Sequence, residues 1–309
     1  MTIELIDFHT HVRPPWWEGL TNPEAGFGSD GGETVARLVD VPRLIEESRR
    51  AGVSRRALSV GVEGVYGPHG TVAPADVRRI NEFTAEAVAK DSELFLGLAT
   101  VDLFAGEAGA AEAVYAVREL GLHGLFLDSQ RAGKHPGSPE ARPTLAAAAE
   151  LGVPIFIHPV WAPDDDHYFT AAGQAGRSFG RGLTNGLAAL ALLHADVFTE
   201  FPDLDVVVTA LGTGAVLFAA DALVRYEREH GVRPRLHVDT LRFHPPTIGY
   251  LVDALGADRV VFGSDWPIRL DAYAEQVVGA FERAGLSAEQ QALVGAGNAR
   301  RLFALGEPR

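Results

Sequence analysis

The chain has 309 residues, 47% hydrophobic and 22% charged, with 34 glycines, 18 prolines and no cysteine. That composition excludes a disordered segment, a collagen-like repeat and a disulfide-stapled module, and the length suffices for one large core. The balance of 27 basic against 41 acidic residues gives a net charge of −14 with neutral histidines, which argues against nucleic acid as a partner.

Taken in chain order, short β-branched runs alternate with stretches rich in Ala, Leu, Glu and Arg. Strands are expected over 3–8, 57–62, 94–101, 124–128, 154–158, 206–209, 235–239 and 259–263. Helices are expected between and after them, over 39–51, 75–90, 108–120, 144–151, 187–201, 215–229, 247–255 and 272–284. The strands read as continuous apolar runs, as in a sheet buried on both faces, and no glycine-rich nucleotide fingerprint follows any of them. Eight such units fit an α/β fold of the (β/α)8 TIM-barrel type, distorted by two long loops at 13–34 and 161–181, in a single domain spanning 1–309. The tail, ending in Asn298-Ala299-Arg300-Arg301-Leu302-Phe303, is expected to pack across the outside of the barrel. The start, MTIELIDFHTH, is acidic where a secretory signal is basic, and no run of about 18 apolar residues occurs. A cytoplasmic protein with no membrane partner is therefore expected.

Loops after barrel strands form the catalytic face, so polar residues at strand ends carry the functional argument. In Asp7-Phe8-His9-Thr10-His11 the histidines are two apart, on one face of a strand, where both imidazoles reach one ion. Strand 5 ends in His158-Pro159, and strand 8 in Gly263-Ser264-Asp265-Trp266-Pro267. Singly, His-x-His also arises in loops, a strand-capping histidine is also a structural residue, and an Asp before Trp-Pro is also a turn cap. Together, His9, His11, His158 and Asp265 suit one divalent ion, zinc first and manganese second, with Asp265 also able to accept a proton.

These motifs and the terminal Asn298–Phe303 segment resemble the amidohydrolase-2 branch of the amidohydrolase superfamily over nearly the whole chain. That branch includes aminocarboxymuconate semialdehyde decarboxylase and resorcylate-type aromatic acid decarboxylases. The resemblance implies a distorted barrel, a single divalent metal on the four residues, a small aromatic or unsaturated carboxylic acid as substrate, and a homodimer. One departure stands out. Related sequences end strand 6 with a histidine followed by glycines, where this chain has Ala210.

His244, after strand 7, is the first candidate to replace that missing acid or base. Arg242 is a candidate to hold a substrate carboxylate, in competition with Arg181, Arg177 and Arg13. Trp16, Trp161 and Trp266 are candidate walls for a flat ligand, and Asp239 for orienting a metal histidine or capping a helix. A metal-dependent nonoxidative decarboxylase is the expected function. The alternatives are a metal-dependent hydrolase of a lactone, ester or amide, which would not need the strand-6 histidine, and a barrel that only binds ligand.

Overall fold

A computed structural model describes residues 3–16, 31–61, 73–160, 171–209, 213–241, 244–268 and 273–306. Eight parallel strands pair in chain order: β1 (Ile6–His11), β2 (Arg55–Ser59), β3 (Phe95–Thr100), β4 (Gly124–Asp128), β5 (Ile155–His158), β6 (Val206–Val208), β7 (Leu236–Asp239) and β8 (Val260–Val261). The sheet closes through main-chain bonds donated by Phe8 N to Phe262 O (2.9 Å), Asp265 N to His9 O (2.9 Å) and His11 N to Trp266 O (2.8 Å). This is the expected (β/α)8 barrel.

The helices are α1 (Gly31–Val39), α2 (Val41–Ala51), α3 (Pro74–Ala89), α4 (Glu107–Arg118), α5 (Arg142–Leu151), α6 (Gly173–His194), α7 (Val197–Glu200), α8 (Thr213–His230), α9 (Pro245–Leu255), α10 (Ala274–Arg283), α11 (Ala288–Ala292) and α12 (Asn298–Leu302). Helices α2 and α5 stop where Gly52 and Gly152 take left-handed φ of 72° and 66°, which costs glycine no Cβ clash. None of the described helices is long and apolar enough to cross a membrane.

Three expectations need correction. Helix α6 begins at Gly173, so much of the stretch read as a loop at 161–181 is helical, and α1 likewise occupies the end of 13–34. Glycines at 173, 176, 180, 182 and 186 lower local helix propensity, and packing supplies what the sequence pattern hides. The terminal segment does not lie on the outside. Ala299, Leu302 and Phe303 join Ile6, Phe8, Leu96, Phe126, Phe156 and Val207 inside the barrel and close its N-terminal end. Phe303 stacks on Phe8 with ring centroids 4.8 Å apart, and Arg300 donates to both carboxylate oxygens of Glu4 at 2.7 and 2.8 Å.

Strand β1 also runs three residues later than expected, through both histidines, and contains a bulge. Asp7 pairs with Arg56 but Thr10 pairs with Leu58, so β1 carries one extra residue between those pairs. A bulge resets the side-chain alternation. Phe8 and His9 are consecutive, yet both rings meet Phe156, at 5.6 and 4.9 Å, inside the barrel.

Candidate metal centre

Above the apolar floor, the barrel interior turns polar. One ring nitrogen from each of His9, His11 and His158 lies within 4.8 Å of the others. The three rings stand edge to face, with centroids 4.8 to 5.4 Å apart. Asp265 Oδ1 reaches His9 Nε2 at 3.4 Å and His11 Nε2 at 3.2 Å. Asp265 holds a left-handed φ of 61°, a conformation Asp tolerates better than most residues.

The protons of these histidines can be followed. His9 Nδ1 donates to Asp239 Oδ2 at 2.7 Å, with both side chains fully buried. The hydroxyl of Ser59 donates to Thr10 O at 3.1 Å, so its 3.0 Å contact with His11 Nδ1 is a bond donated by the imidazole. Both Nδ1 protons are thereby committed, and neutral rings present bare Nε2 lone pairs to one another at 3.0 Å, beside a carboxylate oxygen. A nest of acceptors facing acceptors requires a cation, and three imidazoles with a carboxylate fit a divalent metal.

The titration tendencies agree. Burial lowers the His9 pKa, but the charges of Asp265, Asp239 and Asp7 outweigh it and raise the value, so a proton on His9 is the substitute for a metal. Burial lowers His11, with the neighbouring Asp265 opposing it, and burial with the charges of His11, Arg181 and His9 holds His158 well below 6.5. Burial would raise Asp265, yet the charge of His9 and the nearby His11, with Arg181 behind them, keep it below the usual carboxylate value. The charge of Arg181, on α6, thus acts on His11, His158 and Asp265.

The other expected site residues divide. Asp239 orients His9, deciding between the two roles read for it. Space for that bond comes from Gly263, where a Cβ would lie 2.9 Å from Asp239 Cβ and 3.0 Å from His9 Cβ. Trp266 does not line a pocket. It is 3% exposed, packs with Val12, Val41, Leu44 and Leu58, and donates its Nε1 proton to Glu47 at 3.0 Å. Trp16 is 41% exposed, with the guanidinium of Arg79 4.0 Å above its ring. His244 is exposed at the N-cap of α9, its ring nitrogen 3.1 Å from Thr247 Oγ1, and the structure does not bring it into the cluster. Ala210, Arg242 and Trp161, and the side chain of Arg177, lie outside the described residues.

Sequence reasoning missed Ser59 and the Asp7–Arg56 ion pair. The pairing of adjacent strands could have found Ser59, since it sits opposite His11 in β2.

The chain and its barrel resemble known proteins. The amidohydrolase family profile matches residues 6–305. The gamma-resorcylate decarboxylase of Polaromonas sp. (strain JS666) is 28% identical over 312 residues, covering 91% of this chain and 93% of that protein. The crystal structure of 5-carboxyvanillate decarboxylase from Sphingomonas paucimobilis superposes with a TM-score of 0.82 at 21% identity, over 98% of this chain and 100% of that one. Dihydroxybenzoic acid decarboxylase from Polaromonas sp. JS666, solved with bound manganese and the inhibitor 2-nitroresorcinol, gives 0.80 at 23% identity, over 99% and 98%.

Proposed function

This chain belongs to the amidohydrolase family, and from that premise we propose that it is a metal-dependent nonoxidative decarboxylase of a small aromatic carboxylic acid. The observation that carries the reading is the buried nest in which His9 and His11 point Nε2 lone pairs at each other, 3.0 Å apart, beside Asp265. Relatives that match over nearly the whole chain decarboxylate aromatic acids, which supports a hydroxylated benzoate as substrate.

His9, His11, His158 and Asp265 would hold the ion, zinc by the preference of imidazole donors, with manganese the alternative seen in a related structure. When bound, it supplies positive charge that stabilises negative charge developing on substrate oxygens. Arg181 holds the substrate carboxylate through its guanidinium fork, with Arg242 and Trp161 further candidates from the sequence for the acid and the ring. Asp265 moves the proton. Kept ionised against burial by the charge of His9, the carboxylate takes a proton from solvent and passes it on to the ring carbon. That proton forms the new C–H bond at the carbon bearing the carboxylate. The C–C bond then breaks, its electron pair returns to the ring, and CO2 leaves.

Ala210 favours a second reading, hydrolysis of a lactone, ester or amide, which does not need the strand-6 histidine. The protein acts as a homodimer in this proposal, supported by the exposed Phe179, Leu183 and Leu187 at four-residue spacing on α6. Sedimentation of the purified chain tests that part.

For the activity, metal content per chain is measured on protein purified without added metal, beside a His158→Ala control. CO2 release is then followed from hydroxylated benzoates. About one ion per chain, lost in the control, with CO2 release abolished by chelation, is expected. No bound metal, or the same content in the control, overturns the reading, and lactone hydrolysis without CO2 release replaces it by the second.

A further inference from the structure

A side chain that ties β1 to the segment of Asp265 is itself no ligand in this reading. Asp7 is fully buried at the seam where β1 meets the segment after β8. Its Oδ1 accepts the main-chain N–H of His9 at 3.1 Å and of Ser264 at 2.9 Å. Its Oδ2 accepts the hydroxyls of Thr10 at 3.0 Å and Ser264 at 2.5 Å, together with Nη1 of the buried Arg56. Arg56 Nε donates in turn to Ser48 Oγ at 2.7 Å, and Ser48 to Leu44 O at 2.6 Å, which anchors the network on α2.

We propose that Asp7 is a positioning residue for the metal centre, setting the separation between the strand of His9 and His11 and the segment of Asp265. The inference rests on reading those residues as metal ligands. The bulge in β1 takes the His9 N–H out of the regular ladder, and β8 ends at Val261, short of Ser264. Asp7 replaces both missing partners with a single oxygen atom. A buried ion pair is a weak source of stability, because well-packed apolar residues often serve as well. What an apolar pair could not do is accept two N–H groups from two strands at one point. One of those groups belongs to a ligand and the other to the residue before a ligand, so a shift of this carboxylate moves His9 and Asp265 relative to each other.

The test compares wild type, Asp7→Asn, Ser264→Ala and His158→Ala after loading with Co²⁺. The readouts are the visible absorption of the bound ion, which reports coordination geometry, its affinity by competition with a chelator, and the melting temperature of the metal-free chain. Asp7→Asn is expected to change the spectrum and weaken binding about 10–100-fold, the size typical of outer-shell partners of metal ligands, with Ser264→Ala shifting both in the same direction by less. Should Asp7→Asn fail to fold, Ser264→Ala decides alone. A wild-type spectrum and affinity in the folded variants, with only the melting temperature lowered, overturns the inference and leaves the metal reading intact. No Co²⁺ uptake by wild type, or unchanged uptake by His158→Ala, overturns the metal reading and the inference with it.

Discussion

At the N-terminal end of the barrel the interior is carbon, with Phe303 stacked on Phe8 and Leu302 and Ala299 beside it, and nearby charges meet opposite charges. Arg300 grips Glu4, and Arg235 and His237 both bond Asp205. One layer up the same strands, imidazole nitrogens face each other and a carboxylate with no proton between them when neutral. The contrast shows stability and chemistry separated along the barrel axis. The charges of the floor are paired within the chain, whereas the facing acceptors of the rim suit a cation.

The largest effect expected from that separation is at the rim. Chelation or His158→Ala should cut CO2 release by about 10³-fold or more, since lost metal stabilisation is worth several kcal/mol, while the metal-free melting temperature changes little. Turnover and calorimetry on one preparation check both halves. At the floor, Phe303→Ala should cost about 3–5 kcal/mol in urea unfolding and leave metal stoichiometry at the wild-type value. Loss of metal in that variant would show the two ends to be one cooperative unit.

Gly263→Ala probes the boundary between the ends. Its methyl group would press on Asp239 and His9 at about 3 Å, and a metal affinity about 10-fold weaker, measured by chelator competition, is the expected result. Acid should act on the floor. Burial lowers the His237 pKa despite the bond to Asp205, so stability falls as pH drops through 6.5, where the unfolded histidine binds a proton that the folded one resists. Burial would raise Asp205, but the bonds from His237 and Arg235 lower it below 3.8, so its contribution, present at neutral pH, fades as pH falls through the carboxylate range. Urea titrations from pH 7 to pH 2 should show declining stability, with the part of the decline below about pH 4 flattened in Asp205→Asn. The smallest effect belongs to His244→Ala, whose exposed ring contacts only Thr247 among its described bonds, and turnover should stay within about twofold.

The floor and the rim were not equally legible in the sequence. Eight strands could be read because a strand covered on both faces must be apolar, and His9, His11, His158 and Asp265 stand out as metal-ligating residue types at the ends of such strands. The bulge could not be read, because Asp7-Phe8-His9 looks like regular alternation until two strands are paired. Trp266 looks like a pocket wall until Glu47, far away in sequence, is found on its N–H. The terminal segment is amphipathic, and nothing in that pattern distinguishes an outer groove from the open end of a barrel. Asp239 was noticed for its place at a strand end, but its partner is 230 positions away, beyond any local pattern.

The seam at Asp7 joins residues 257 positions apart. A ribosome makes the histidine pair with the first strand of the barrel and the aspartate only after all eight strands, so during synthesis the early histidines have no such carboxylate beside them. Contacts of such long range also form late when a chain folds. Capture of an ion by the four residues proposed to hold it would therefore be a finishing step, following closure of the barrel rather than guiding it.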